Sequence, residues 1–340
     1  MSLPPVEIPL GAMRFNSDSQ KLEYFNGYVW MQVDTFSPDL NGGSRGVAGG
    51  GNTGSYTNVI DYWCIPTAGN AVDFGDRTIS GYCEGCSSNT RGLFGGGHTP
   101  SYTDTIDYIT ISSTGNAADF GDLNDNLAEG GAGANQTRAI WAGGYATSPN
   151  AQRNNIDFAT IASTGNFVDF GDLTGARQGT WGNTSPTIYL STAGVQSGGN
   201  GHDNIIDYVT IASLGNAKDF GDYSSLSLSW NGAAAGSATR SVNMGGSLAA
   251  PTYAPQSVMD YSIFATKGNT TGFGDLRVAT KHHNSTSDSV RAMSAGGSSS
   301  DTDLIQYINV STEGNSVDFG NLSSGRYGAG AFSNGHGGLG

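Results

Sequence analysis

The sequence predicts an all-β chain: six copies of a four-stranded antiparallel sheet arranged as a ring, preceded by a short β-hairpin module. Three observations carry that expectation. Gly is very abundant, at 53 of 340 residues, while charged residues make up only 13%; without a three-residue period this is the composition of a turn-dense β protein and not of collagen. A unit of about fifty residues recurs six times. The last copy is followed by a surplus strand, Tyr327-Gly-Ala-Gly-Ala-Phe332, which the first copy lacks. Blades of four strands in a ring avoid exposed sheet edges, and the surplus strand is expected to complete the first blade. The expected domains are therefore 1–40, a hairpin module, and 41–340, a six-bladed β-propeller.

Each copy is marked by fixed landmarks. Ile60-Asp61-Tyr62, Ile106-Asp107-Tyr108, Ile156-Asp157-Phe158, Ile206-Asp207-Tyr208, Met259-Asp260-Tyr261 and Ile305-Gln306-Tyr307 read as one strand, being β-branched and aromatic. A Gly-Asn pair follows at Gly69, Gly115, Gly165, Gly215, Gly268 and Gly314. It is expected to form a tight hairpin turn, since Gly and Asn accept positive φ. Phe74, Phe120, Phe170, Phe220, Phe273 and Phe319, each followed by Gly, then open another strand. Upstream, Gly-Gly doublets end at Gly51, Gly97, Gly144, Gly199, Gly246 and Gly297, and Arg45, Arg91, Arg138, Arg240 and Arg291 each stand six residues before one of them. The fourth copy has Thr192-Ala193 in that place. Small-residue stretches such as Gly130–Ala134 and Ser229–Ala233 suit a crowded innermost strand.

Asp recurs at three positions of the unit, beginning Asp61, Asp73 and Asp76. A calcium ring would need six or more oxygens per ion, and no compact Asp-rich loop is present. The expected role is structural: accepting backbone N–H groups and pairing with the repeated Arg between blades. Cys83-Glu-Gly-Cys86 has metal-ligand spacing, with Cys64 and His98 as the available extras, but three cysteines make neither a disulfide framework nor a persuasive zinc site. No metal and no cofactor are expected. The net charge of −14 disfavours nucleic acid, no apolar run is long enough to insert in a membrane, and the amino terminus does not look like a signal peptide.

The variable loops fall between the Gly-Gly doublet and the Asp strand, on the face opposite the Gly-Asn turns. They are rich in Tyr, Ser, Asn and Pro, a mix suited to adaptable binding. Tyr56, Tyr102, Tyr145 and Tyr253 are the candidate binding residues, able to stack on sugar faces. In the amino-terminal module, Leu22–Phe25 and Tyr28–Val33 flank Asn26-Gly27, a strong hairpin signal. Phe25, Tyr28 and Trp30 are the candidate docking residues, because a lone hairpin is marginal in water.

The Gly-Gly doublet, the Tyr and the later aromatic resemble the kelch motif over residues 41–340, with Phe where kelch usually has Trp. Gly11-Ala-Met-Arg-Phe-Asn through Asn26-Gly-Tyr-Val-Trp30 is similar to a short module of tail-fibre and other virion proteins of tailed bacteriophages. The repeat units also resemble Gly-rich repeats in structural proteins of marine and cyanobacterial phages. These resemblances imply a virion structural protein, located in a tail fibre or similar appendage. Its implied partners are other virion proteins, host surface glycan and further copies of itself. The alternatives are a polysaccharide-degrading propeller enzyme and a capsid-decorating protein. Five His at unrelated repeat positions, and carboxylates locked to the repeat, speak against an enzyme, since a catalytic pair should break repeat symmetry.

Overall fold

A computed structural model describes residues 8–16, 21–32, 44–196, 203–224, 231–248, 252–298 and 303–339. The chain divides into two compact units, Met1–Gly43 and Ser44–Gly340. Among the described residues it is all-β, apart from one short 3-10 turn at Gly337–Leu339, and no helix is long and apolar enough to cross a membrane.

In the amino-terminal unit three strands, Met13–Asn16, Lys21–Phe25 and Trp30–Gln32, form one antiparallel sheet. Phe25 pairs with Trp30, so the turn spans four residues and not the two expected of Asn-Gly. The Asn26 side chain explains the longer turn: its Oδ1 accepts from the backbone N–H of both Tyr28 and Val29.

The larger unit is built from four-stranded antiparallel paths. The first joins Gly330–Ser333, Arg45–Gly49, Val59–Cys64 and Val72–Asp76. The carboxy-terminal strand thus pairs with the first strand of the first repeat, beginning three residues later and ending one later than the stretch singled out from sequence. The second path runs Glu84–Ser87, Arg91–Gly95, Thr105–Thr110, Ala118–Asp122. The same order recurs from Gly131–Ala134, Trp181–Thr184, Ala233–Gly236 and Asn284–Ser287. The third copy also takes in Leu127–Ala128, Tyr145–Thr147 and Val195–Gln196, giving a seven-stranded sheet. The expected innermost stretch 229–230 lies outside the described residues; the strand there begins at Ala233.

The innermost strands touch one another in sequence. Glu84–Ser87 meets Gly131–Ala134, then Trp181–Thr184, Ala233–Gly236, Asn284–Ser287 and Gly330–Ser333, and the last of these meets Glu84–Ser87. Small residues are needed here: a Cβ on Gly85 would lie 2.8 Å from the Ala331 nitrogen.

The Gly-Asn pairs lie in hairpin connections, as expected, but longer ones than a tight turn, and they do more than close them. Each lies in a seven-residue connection and reaches the preceding repeat. The Gly N–H donates to that repeat's Phe carbonyl, as in Gly115 to Phe74, Gly165 to Phe120 and Gly69 to Phe319, at 2.8–2.9 Å in all six copies. The Asn Oδ1 accepts the backbone N–H two residues beyond that Phe, at 3.0–3.2 Å. The Gly after each Phe makes this approach possible. Gly121 has φ of +145°, and a Cβ there would fall 2.5 Å from the Gly165 carbonyl oxygen. The latch between Gly69 and Phe319 joins the first copy to the last.

Inside each sheet the Phe is buried, and its ring meets the edge of the neighbouring Tyr (or Phe158) at 5.7–6.1 Å and 74–83°. Burying one such ring is worth about 1.5–3 kcal/mol. The repeated Arg lies over that Tyr face at 4.2–5.0 Å. Its guanidinium donates to a carbonyl of the following repeat: Ile111, Ile161, Ile211, Val310 or Ile65, at 2.7–3.0 Å. The expected Arg–Asp pairing of the repeat is therefore not what forms; the repeated Arg serves backbone and ring.

The fourth copy departs from the others. Its doublet is Ala193-Gly194, with φ of +54° and +110°, and not the pair ending at Gly199, which lies outside the described residues. Ile188 then fills the Arg place. Lys267, from the next repeat, puts its Nζ 3.8 Å from the Tyr208 ring centre.

Candidate functional site

The first repeated Asp is buried in all five copies that carry it. Each receives the chain leaving the preceding repeat. Asp61 accepts from Ser323 N and Oγ and from Arg326 Nη2 at 2.8 Å. Asp207 accepts from Thr174 N and Oγ1 and from Arg177 Nη2 at 2.6 Å. Asp107 takes Thr78 and lies 3.2 Å from Arg77 Nε. Asp157 takes Asn124, and Asp260 takes Ser224 and Thr270. Gln306 stands in the same place and bonds both the N–H and the carbonyl of Val278. Arg77, Arg177 and Arg326 went unnoticed in the sequence because they sit outside the fixed landmarks. Their signal was an Arg within a few residues after the Phe-Gly pair.

These junctions hold the loops around one cavity of about 430 Å³. Its wall is formed by the innermost strands. At one end His336, held by the Ser87 carbonyl at 2.7 Å, belongs to the carboxy-terminal turn. At the other end aromatic side chains gather. Tyr56 Oη meets His98 Nδ1 at 2.6 Å. The His98 ring lies 5.3 Å from Tyr102 and stacks on Tyr82 at 6.3 Å. Tyr102 meets Tyr145 at 6.1 Å, Tyr82 meets Tyr327 at 5.7 Å, and Tyr327 meets His282 at 6.2 Å. Three of the four predicted binding tyrosines thus converge, Tyr56 and Tyr102 on His98 and Tyr145 through Tyr102. Tyr253 is 41% exposed, has φ of +43°, and its carbonyl accepts from Lys281. Tyr82 and Tyr327 were missed because they lie in inter-repeat connections, which vary and carry no periodic signal.

The electrostatics of the cavity are one-sided. Glu84 and Glu129 line it, and among the described residues no Lys or Arg does. Burial first, and the Glu129 charge second, push the Glu84 carboxyl well above the usual range; it is deep in the fold yet keeps some surface, because it faces the hollow. Burial lowers His282 and His283 to about 4, with Lys281 and His282 respectively adding to the effect. Burial likewise lowers His336 to about 4. All three are neutral near pH 7. Burial raises Tyr102, aided by Glu129 and Tyr145, so acid and aromatic groups share one environment.

The cysteines act separately. Cys83 Sγ donates to the Gly49 carbonyl and accepts from Gly330 N, and Cys86 is buried. Among the described residues no three His, Cys, Asp or Glu gather in a way that could hold a metal ion.

In the amino-terminal unit Phe25 and Trp30 pack together at 5.5 Å, on the face where Arg14 pairs with Glu23 and covers Trp30. Tyr28 is 90% exposed at the turn. The opposite face was missed: Met13, Tyr24 and Met31 form one cross-strand row with Phe15 beside it, all exposed.

No protein-family model matches this chain, and no curated protein matches it.

Proposed function

We propose that this chain is a six-bladed β-propeller serving as a structural component of a tailed-phage virion, in a tail fibre or similar appendage, and that its tyrosine-rimmed cavity mouth attaches to host surface glycan. The observation that carries the attachment reading is the convergence of Tyr56, Tyr82, Tyr102, Tyr145 and Tyr327 around His98 at the end of a cavity. Tyr rings offer flat faces for sugar C–H groups and hydroxyls for sugar oxygens, with little rotamer entropy to lose. The cavity volume falls in the range of small-ligand sites, roughly 300–1,000 Å³.

The propeller reading rests on the returning sequence of contacts between innermost strands and on the Gly69–Phe319 latch. The virion reading rests on the resemblance of residues 11–30 to a phage tail module. The amino-terminal sheet is the docking element, toward other virion proteins or further copies of the chain.

Labelled full-length protein is expected to bind host cells, with isolated surface polysaccharide competing. Tyr102→Ala should weaken binding at least tenfold with little change in melting temperature. Binding that survives enzymatic stripping of the glycan overturns the attachment reading. Mass spectrometry of purified particles tests the virion reading, and its absence from particles overturns that.

A further inference from the structure

The cavity wall carries an acid that the fold leaves without a partner. Glu84 makes no hydrogen bond or ion pair among the described residues, while the buried acids of the inter-repeat junctions have donors. It is the first residue of its innermost strand, and Asn284 holds the same place in another. Asn284, 4% exposed, has both amide atoms buried without a partner. Asn284 therefore lacks what a buried polar group ordinarily has, and at the same level the half-buried Glu84 carboxyl faces the hollow with no partner from the fold. The histidines cannot supply a cation near pH 7, being held neutral by burial.

We infer that the cavity mouth takes a ligand bearing an alkylammonium group, such as a sugar with a free amine, whose cation lodges against Glu84 inside the ring of Tyr82, Tyr102 and Tyr327. The inference rests on the glycan-attachment reading and narrows its ligand class. An ammonium brings up to three donors and a positive charge that draws the Glu84 carboxyl back to its ionised form. The tyrosine faces add cation–π attraction, the usual device for recognising such groups. A bare divalent cation fits poorly, since calcium wants six or more oxygens and the wall offers two carboxylates. A neutral sugar would leave the Glu84 carboxyl without a cationic partner, held as the neutral acid by burial.

The test titrates the full chain with glucosamine, N-acetylglucosamine and methylammonium near pH 7, read by calorimetry. Glucosamine is expected to bind at least tenfold tighter than its N-acetyl form, and Glu84→Gln to remove that preference. Equal affinity for the two sugars overturns the inference, as does a preference that survives Glu84→Gln. If Glu84→Gln does not fold, Tyr82→Leu is the second variant, expected to weaken methylammonium binding; an unchanged affinity counts against the cage. Cells bound through neutral glycan alone would leave the attachment reading standing and sink this one. Methylammonium bound without any cell attachment would do the reverse.

Discussion

The two ends of the repeat domain solve the same problem, joining one sheet to the next, by different means. At the Gly-Asn end every junction is the same: a Gly N–H on a Phe carbonyl, an Asn Oδ1 on a backbone N–H. Most of those groups are main chain, so the junction tolerates changes of neighbouring side chain except where the approach itself needs Gly, as at Gly121. At the loop end each junction centres on a buried acid or amide, and its partners differ: an Arg for Asp207 and Asp61, Asn124 for Asp157, backbone for Gln306. Side-chain junctions can be varied copy by copy, and the end that varies is the one with the aromatic mouth. The comparison predicts large, copy-specific effects at the loop end and small, uniform ones at the other.

The largest effect is expected from Asp207→Ala. Arg177 and Asp207 are both fully buried, and removing one partner leaves a buried charge uncompensated, at about 3–5 kcal/mol. Gln306→Ala, which strands no charge, should lose about 1–3 kcal/mol. Denaturant midpoints measure both; equal losses would break the claim that loop-end junctions are individually built.

Acid should act at the loop end next. His283 Nε2 faces the Met244 carbonyl and Nδ1 faces the Ser294 hydroxyl, 2.9 and 2.7 Å away. Its pKa is lowered from the ordinary 6.5 to about 4. The unfolded chain therefore binds the proton first as pH falls. Stability from this group is full above pH 6.5, declines toward pH 4 and then levels off, with a total on the order of 3 kcal/mol. Melting temperature followed over that range should fall, and His283→Gln should flatten the slope. An unchanged slope would mean the imidazole is already charged in the fold.

Much of this architecture was legible because it repeats. The landmarks located the strands, and the Tyr, Ser and Asn content of the loops marked Tyr56, Tyr102 and Tyr145. Two kinds of feature escaped. Backbone junctions leave little trace in side-chain chemistry, so Gly-Asn read only as a tight hairpin turn when it lies in a longer hairpin connection that also latches repeat to repeat. Residues outside the fixed landmarks carry little periodic signal, so the roles of Arg177, Tyr82, Glu84 and Tyr327 were not read from the repeat. The fourth doublet misled for a related reason: Ala193 takes a positive φ that Gly takes elsewhere, and the eye follows Gly.

At the Gly-Asn end, Asn116→Ala, Asn166→Ala and Asn216→Ala should each lose about 0.5–1.5 kcal/mol, the worth of one partly exposed hydrogen bond. The three values should agree within about 0.5 kcal/mol and add when combined, since the sites are independent. A copy-to-copy spread as wide as that at the loop end would erase the distinction between the two ends.

The smallest effect concerns the one copy that lacks its Arg. Elsewhere the guanidinium covers the Tyr face and reaches the next repeat's carbonyl; in the fourth, Lys267 reaches back to cover Tyr208. Lys267→Met should lose only about 0.5–1 kcal/mol, the range for an exposed cation–π contact. Ile188→Arg restores the repeat's own cation, but with Lys267 present the two charges compete for one ring, and Ile188 gives up its packing beside Tyr208. The substitution should therefore be neutral or harmful in the wild-type background and stabilising beside Lys267→Met. A double-mutant cycle reads that change of sign directly; additive values would mean that Lys267 does not stand in for the missing Arg.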